Sequence, residues 1–465
     1  RADAIRRPAR HHPPLMSQRW CALEPSVAPE RPDNRCRVGQ VYGRTREVYE
    51  RNSMPHVHST EFRGTPFNSR TAPLNVNMRW IAWDIYHVVE VFSDAATELR
   101  AIRNDAAVLD MSPLAKYNIS GADAERFTNY VITRDVSKIE IGQAYYTPWC
   151  DHEGKVVSDG IVFRVGEDAF RITGDPSHSW LMQHVDGFDV ELDDVTHDYG
   201  ILSLQGPKSR AVLETATADD WSGFPFSRVR MAKIGGMDVE VARQGFTGEH
   251  GYELCIAASD AGPMWDAIMD AGNDHGIRPA GFIAEDIARM EAGLVIPGPD
   301  YTKGGAEDER GSSIEVDAEF KSSPYELRMG RFVDLDKGEF LGRESLRRES
   351  EVGTETAMVG LLIDWSDLSE LYIERGLSPI VASIPMWYPA VVIKDGARIG
   401  RATSITWSPA AESLAGFGFL QIDHCAPGTE VMVEVTVVDG FGSVNARVVE
   451  LPFRELRRAR SSLRL

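Results

Sequence analysis

Residues 243–254 read Arg-Gln-Gly-Phe-Thr-Gly-Glu-His-Gly-Tyr-Glu-Leu, three glycines set around two acids and two aromatics. Met237–Arg243 before this run and Tyr252–Ala257 after it are strand-like, so the run reads as a glycine-rich turn joining two antiparallel strands. Ala261–Gly272 follows at helical spacing. The same alternation occurs upstream. Asp94–Ile102 is helix-like, Lys116–Ile119 strand-like, and Gly121–Ile132 opens on small and acidic residues before apolar positions at helical spacing. Val156–Val165 and Ala169–Thr173 flank the acidic turn Gly166–Asp168 as a hairpin. Helices alternating with hairpins, rather than βαβ crossovers, place this part of the chain in the α+β class. Beyond Glu351 the texture is mostly β, with Met358–Ile363, Ala390–Lys394, Glu430–Val438 and Asn445–Glu450 and turns at Asp395-Gly396 and Asp439-Gly440. That is a small all-β C-terminal domain. The glycine- and acid-rich stretch Pro297–Ser323 reads as a long surface loop, and the basic stretch Arg454–Leu465 as a solvated tail.

The 465 residues fit about three domains. With 50 Lys and Arg against 70 Asp and Glu, the net charge of −20 repels phosphate backbones and anionic lipid, so neither nucleic acid nor a membrane is an expected partner. The five cysteines are scattered without a CxxC pair, which argues against a disulfide framework and a metal site and for a reducing compartment, with a cytoplasmic location as the default. No apolar run approaches the ~18–20 residues of a membrane span. Residues 1–60 read as a disordered extension rich in Arg, Pro and His; Pro8, Pro13 and Pro14 disfavour an amphipathic targeting helix there, and Met16 and Met54 are both candidate starts.

A complete GxGxxG after a strand, a Walker loop and an HExxH pair are all absent. Two acids remain as candidates. Asp159, at the Ser-Asp-Gly of DHEGKVVSDGIVF, is placed to steer a cationic centre or move a proton. Glu253 can accept two parallel N–H bonds from an amino-pyrimidinone edge, with Tyr252 or Phe246 stacked beside it. Tyr145 and Trp149, one strand before Asp159, are candidates to wall a donor pocket, because aromatic faces hold onium groups.

Taken in order, RAIRNDAAVLDMSPLAKYNISGADAERF, DHEGKVVSDGIVF, LSLQGP, RQGFTGEHGYEL, DIARMEAGL, SPYELRMGRFVDLDKGEFLGRESL and IGRATSITWSP followed by GFGFLQID resemble the aminomethyltransferase family, typified by the glycine-cleavage T-protein and including folate-dependent demethylases. The resemblance implies a three-domain cloverleaf around a tetrahydrofolate funnel. Two α+β subdomains, at about 65–199 and 200–350, precede a C-terminal β-barrel-like domain at 355–453. It makes Asp159 the acid beside the reactive folate nitrogens, Glu253 the pterin-binding glutamate with Tyr252 next to it, and Arg289 a further cofactor-binding residue. Ser158 stands where the T-protein has the first acid of an Asp pair. Glu285 stands where it has an arginine associated with folate, so a negative charge there does not attract the folate glutamate tail. The implied function is transfer of a methyl or aminomethyl-derived unit from a small methylated donor (amine, sulfonium or aryl ether) to N5 of tetrahydrofolate. The alternative is the glycine-cleavage T-protein itself, an aminomethyltransferase that needs a lipoyl carrier protein. Two other readings are a non-enzymatic folate-binding protein, whose K-G-C-[FY]-x-G-Q-E signature is absent, and the folate half of a flavin oxidase, which needs a separate oxidoreductase subunit.

Overall fold

The computed structural model describes residues 62–304, 320–437 and 440–457; the expected N-terminal extension lies outside the described residues. A six-stranded sheet runs in the order Val229–Ile234, Met237–Ala242, Gly251–Ala257, Tyr199–Gln205, Ala106–Asp110, Ile277–Pro279. A five-stranded sheet runs Gln143–Cys150, Val156–Gly166, Ala169–Gly174, Ala115–Ser120, Glu191–Asp194. The C-terminal strands close into a six-stranded barrel, in which Thr356–Ile363 pairs with both Ser413–Gln421 and Gly440–Val449. Closure removes the exposed edges that an open sheet would carry. Leu361, Ile363, Val433, Val444 and Val448 belong to the barrel's core. This is a multi-domain α+β fold.

Local chemistry explains most elements. The helix Ala95–Asn104 starts where Asp94 accepts from the Thr97 N–H at 2.8 Å, and it buries Leu99 and Ile102. Its chain then enters the six-stranded sheet as Ala106–Asp110, between Tyr199–Gln205 and Ile277–Pro279. That strand comes from the stretch expected in the first subdomain. Its fully buried Ala106 and Val108 pack with Leu202, Leu204 and Leu254.

The glycines of 243–254 have a structural reason. The Gln205 carboxamide, from LSLQGP, donates to Gln244 O and Ser203 Oγ and accepts from Thr247 Oγ1 at 2.9–3.2 Å. A Cβ on Gly245 would fall 2.2 Å from Gln205 Oε1, and one on Gly251 2.3 Å from its Nε2. The two motifs are therefore halves of one interlocked unit.

One half-buried lysine ends a helix. Lys337 Nζ donates to Ile132 O at 2.5 Å, to Arg134 O at 2.9 Å and to Asn129 O, closing the C-terminal end of the helix Ala124–Val131. Lys337→Met is expected to destabilise the protein by about 1–3 kcal/mol, since it strands these carbonyls. Urea unfolding with an unchanged midpoint would contradict this.

Candidate functional site

Asp159 lies on the strand Val156–Gly166, opposite Pro148 of the neighbouring strand. Side chains alternate along a strand, so Asp159 shares a face with the even-numbered residues of Gln143–Cys150. Tyr146 accordingly donates its hydroxyl to Asp159 Oδ2 at 2.7 Å, and Tyr301 donates to Oδ1 at 2.6 Å. The carboxyl is only partly exposed. Burial pushes it up to about 6, against the pull of the Tyr301 and Tyr146 hydroxyls; Asp175 adds to the rise and Lys303 opposes it. Lys303 itself is held 3.5 Å from Asp175 Oδ2. An acid that titrates near neutrality, fixed by two phenols, can carry a negative charge or pass a proton within the working range of an enzyme.

The other expected aromatics sit elsewhere. Tyr145 lies under the Arg134 guanidinium, 3.8 Å from ring centroid to Cζ, with its hydroxyl 3.4 Å from Lys138 O. Trp149 is buried in the core of the five-stranded sheet, so close to Gly174 that a Cβ there would meet its ring at 3.0 Å. Both are on the face of their strand opposite to Tyr146. Strand alternation was the signal that could have selected Tyr146. Tyr301, in the segment expected as a surface loop, had no comparable signal, yet it is buried against the acid.

Glu253 sits mid-strand in the six-stranded sheet, flanked by Ser203 and Ala242. It is 9 % exposed, and burial alone pushes its carboxyl up to about 7. Among the described residues none donates a hydrogen bond to it. Its neighbour Tyr252 points to the opposite face, into the core, edge-on to Trp221 and His250 at centroid distances of 5.8 and 5.3 Å. The structure thus separates the two residues expected together at a cofactor.

Arg289 is wholly engaged. Its fork reaches Asp286 and Asp300, each at 2.6 Å, and donates to Leu294 O and Ser404 Oγ. Asp300 also accepts from Thr403 Oγ1, Ser404 Oγ and the Ile296 N–H. Ser404 has a φ of 54° inside a bulge of the barrel strand, a left-handed conformation that directs it to this knot. Arg289 therefore ties its helix to the barrel rather than facing a ligand. Glu291 takes Arg103 at 2.7 Å and, from the barrel, Ser408 Oγ and the Ala410 N–H at 2.9 Å. The D-x-x-R-x-E motif works here as mortar between domains.

Glu285, on the same helix Phe282–Glu291, is interior rather than at a surface where a ligand tail would lie. It is 6 % exposed, its Oε1 meets no donor, and burial, then repulsion from Glu253 and Asp286, pushes it up to about 8. It borders a small recess, part of it open to solvent, whose lining includes Trp83, Phe282 and Asp110. Among the described residues no group of three or more His, Cys, Asp or Glu side chains could hold a metal ion, and no helix is long and apolar enough to cross a membrane.

Comparison with known proteins agrees with this architecture. Residues 72–337 match the family described as the GCVT N-terminal domain, and residues 375–454 match the glycine cleavage T-protein C-terminal barrel domain. An aminomethyltransferase of Saccharopolyspora erythraea is 31% identical over 368 residues, covering 78% of this chain and 90% of that protein. One from Halalkalibacterium halodurans is 32% identical over 369 residues with the same coverage. The crystal structure of glycine cleavage system aminomethyltransferase T from Bartonella henselae superposes with a TM-score of 0.71 at 21% identity, over 85% of this chain and 99% of that one, and it supports the fold alone. With residues 72–337, more than half of the chain, matched by the first family model and residues 375–454 by the barrel model, the chain belongs to the aminomethyltransferase family of transferase enzymes, typified by the glycine-cleavage T-protein.

Proposed function

We propose that this protein is a tetrahydrofolate-dependent aminomethyltransferase, taking its one-carbon unit from an aminomethyl group carried on a lipoyl protein. The observation that carries the folate part is Glu253, a 9 % exposed carboxylate to which none of the described residues donates a hydrogen bond. An orphaned acceptor in the interior costs stability unless a ligand supplies donors, and the amino and imide hydrogens of a pterin form the matching pair. When bound, tetrahydrofolate supplies the N5 and N10 nitrogens that accept the one-carbon unit. Glu253 holds and orients the pterin edge. Asp159, with Tyr146 and Tyr301 fixing both of its oxygens, faces the positive charge that develops on an aminomethyl carbon as its bond to sulfur breaks, and takes up the proton released on nitrogen.

The relatives' names favour an aminomethyl donor over a free methylated amine, sulfonium or ether. So does the placement of Tyr145 and Trp149, which line no onium cage beside Asp159. The test is single-turnover formation of methylenetetrahydrofolate and ammonia from an aminomethylated lipoyl carrier. Product formed only with the carrier supports the proposal. Methyltetrahydrofolate formed from a free methylated compound, with none from the carrier, would replace it with the demethylase reading.

A further inference from the structure

Asp159 has two charged neighbours, Asp175 and Lys303, each brought in by a different segment of the chain. Gly160 pairs with Gly174 across the strands Val156–Gly166 and Ala169–Gly174, and a Cβ on Gly174 would fall 2.7 Å from Asp159 O. The two backbones lie this close because neither glycine has a side chain, and the register carried one residue further sets Asp175 across from Asp159. Ser158 is fully buried on the other face of the sheet, opposite Trp149. The acid next to Asp159 therefore comes from the facing strand rather than from its own. Lys303 arrives from a third direction. Tyr301, two residues before it, donates to Asp159 Oδ1 at 2.6 Å, and the Gly304 N–H after it donates to Val156 O at 2.7 Å. Pinned on both sides to the strand of Asp159, Lys303 places its Nζ 3.5 Å from Asp175 Oδ2 and 3.4 Å from Pro176 O. The side chains of this pair are only 19 and 22 % exposed, so solvent screens them weakly. Other charged groups on the surrounding elements are engaged elsewhere. Lys155 pairs with Glu326 at 3.0 Å and Arg164 with Glu125 at 3.1 Å. Arg134 lies over Tyr145 and donates to Tyr146 O at 3.1 Å. Asp84, in the turn between Trp80–Trp83 and Tyr86–Val89, feels the charges of Asp175 and Lys303.

We propose that Asp175 and Lys303 are a positioning pair for Asp159: the Lys303 ammonium neutralises the facing Asp175 carboxylate, so that a single negative charge, on Asp159, is left at the reaction centre. The inference rests on the reading that Asp159 faces the developing positive charge. Two facing carboxylates without a cation would hold a proton between them and leave Asp159 neutral near pH 7. A lone cation would pin Asp159 as an anion and weaken it as a proton acceptor. The pair avoids both. Each member acts on Asp159 with its own sign, Asp175 against its ionisation and Lys303 for it, beside the larger effects of burial and the two phenols. Without Lys303, the uncompensated Asp175 charge moves the ionisation of Asp159 to higher pH. Without the Asp175 charge, Lys303 moves it to lower pH. Removal of both returns it close to the parent.

The test follows Asp159 directly and through turnover, using the full chain as the parent, Lys303→Met, Asp175→Asn, the double variant and Asp159→Asn. The direct reading is a carboxyl-carbon NMR titration of protein labelled at the aspartate Cγ, in which the resonance missing from Asp159→Asn belongs to Asp159. Its midpoint should rise by about 0.5–1 pH unit in Lys303→Met and fall by a similar amount in Asp175→Asn. In the double variant it should return to within about 0.3 unit of the parent. The acid limb of single-turnover methylenetetrahydrofolate formation should move in step, with tetrahydrofolate affinity unchanged within about threefold. A merely structural ion pair would lower melting temperature and turnover without displacing the midpoint. That result, or displacements of the same sign in both single variants, overturns the inference. Midpoints displaced as expected, with full turnover in Asp159→Asn, would instead overturn the reading of Asp159 on which the inference rests.

Discussion

Asp159→Asn is expected to lower turnover by about 10²–10⁴-fold while leaving tetrahydrofolate affinity within about threefold of the parent. The amide keeps the size of the carboxyl and can still accept from one hydroxyl, but it carries no charge and takes up no proton. The pH profile gives the same prediction a sign. Burial lifts Asp159 to about 6, so the ionised form fills as pH rises through that value, and activity should climb on an acid limb centred there. The hydroxyls of Tyr301 and Tyr146 stabilise the ionised form. Tyr301→Phe should therefore move the limb by about one unit toward alkaline pH, the equivalent of one charge-assisted hydrogen bond. Full turnover in Asp159→Asn, or an acid limb unmoved in Tyr301→Phe, would show that the acid is structural.

The second large effect concerns the joint between helix and barrel. Arg289→Leu should cost about 3–5 kcal/mol, because it leaves the Asp286 and Asp300 carboxylates buried without their cation. The loss should register as a fall in unfolding midpoint in urea, accompanied by loosening of the barrel against the Phe282–Glu291 helix. Susceptibility to a protease near Ser404 would report that loosening directly. A variant as stable as the parent would mean that the knot around Asp300 is held by Thr403, Ser404 and the Ile296 N–H without Arg289.

How far the sequence spoke for itself varied with the kind of signal. The hairpin Val156–Gly166 with Ala169–Gly174, the glycine turn after Met237–Ala242 and the barrel strands Thr356–Ile363, Ala390–Lys394 and Glu430–Val437 carry alternation and turn residues within short windows and are readable to within a residue or two, whereas the last strand, Gly440–Val449, starts five residues before its expected Asn445. The entry of Ala106–Asp110 into a sheet built mainly from residues a hundred positions later was not. Strand order depends on burial partners far along the chain, which no local window contains. The same divide runs through the site. Asp159 and Glu253 stood out as acids at strand edges and turns. Tyr252 and Trp149 were drawn to the wrong face because proximity in sequence was weighed above the two-residue period of a strand. Arg289 looked like a ligand group because a guanidinium in a motif looks available. Its partners Asp300 and Ser404 lie on a loop and a bulged barrel strand, and only the fold brings them within 2.6–2.8 Å. Glu285 had the opposite fate: a departure read as spoiling the outer end of a site lies in the interior.

The most direct measurement is the titration of tetrahydrofolate into the parent protein and into Glu253→Ala under matched anaerobic conditions, with melting temperatures to confirm that the variant is folded. If Glu253 receives the pterin edge, the parent binds saturably at one site per chain. The folded variant should then lose at least about 2–3 kcal/mol of binding free energy, a fall of roughly thirtyfold or more. Equal affinity in the two folded proteins would contradict a pterin at Glu253, and with it the assignment of this face of the six-stranded sheet as the folate site.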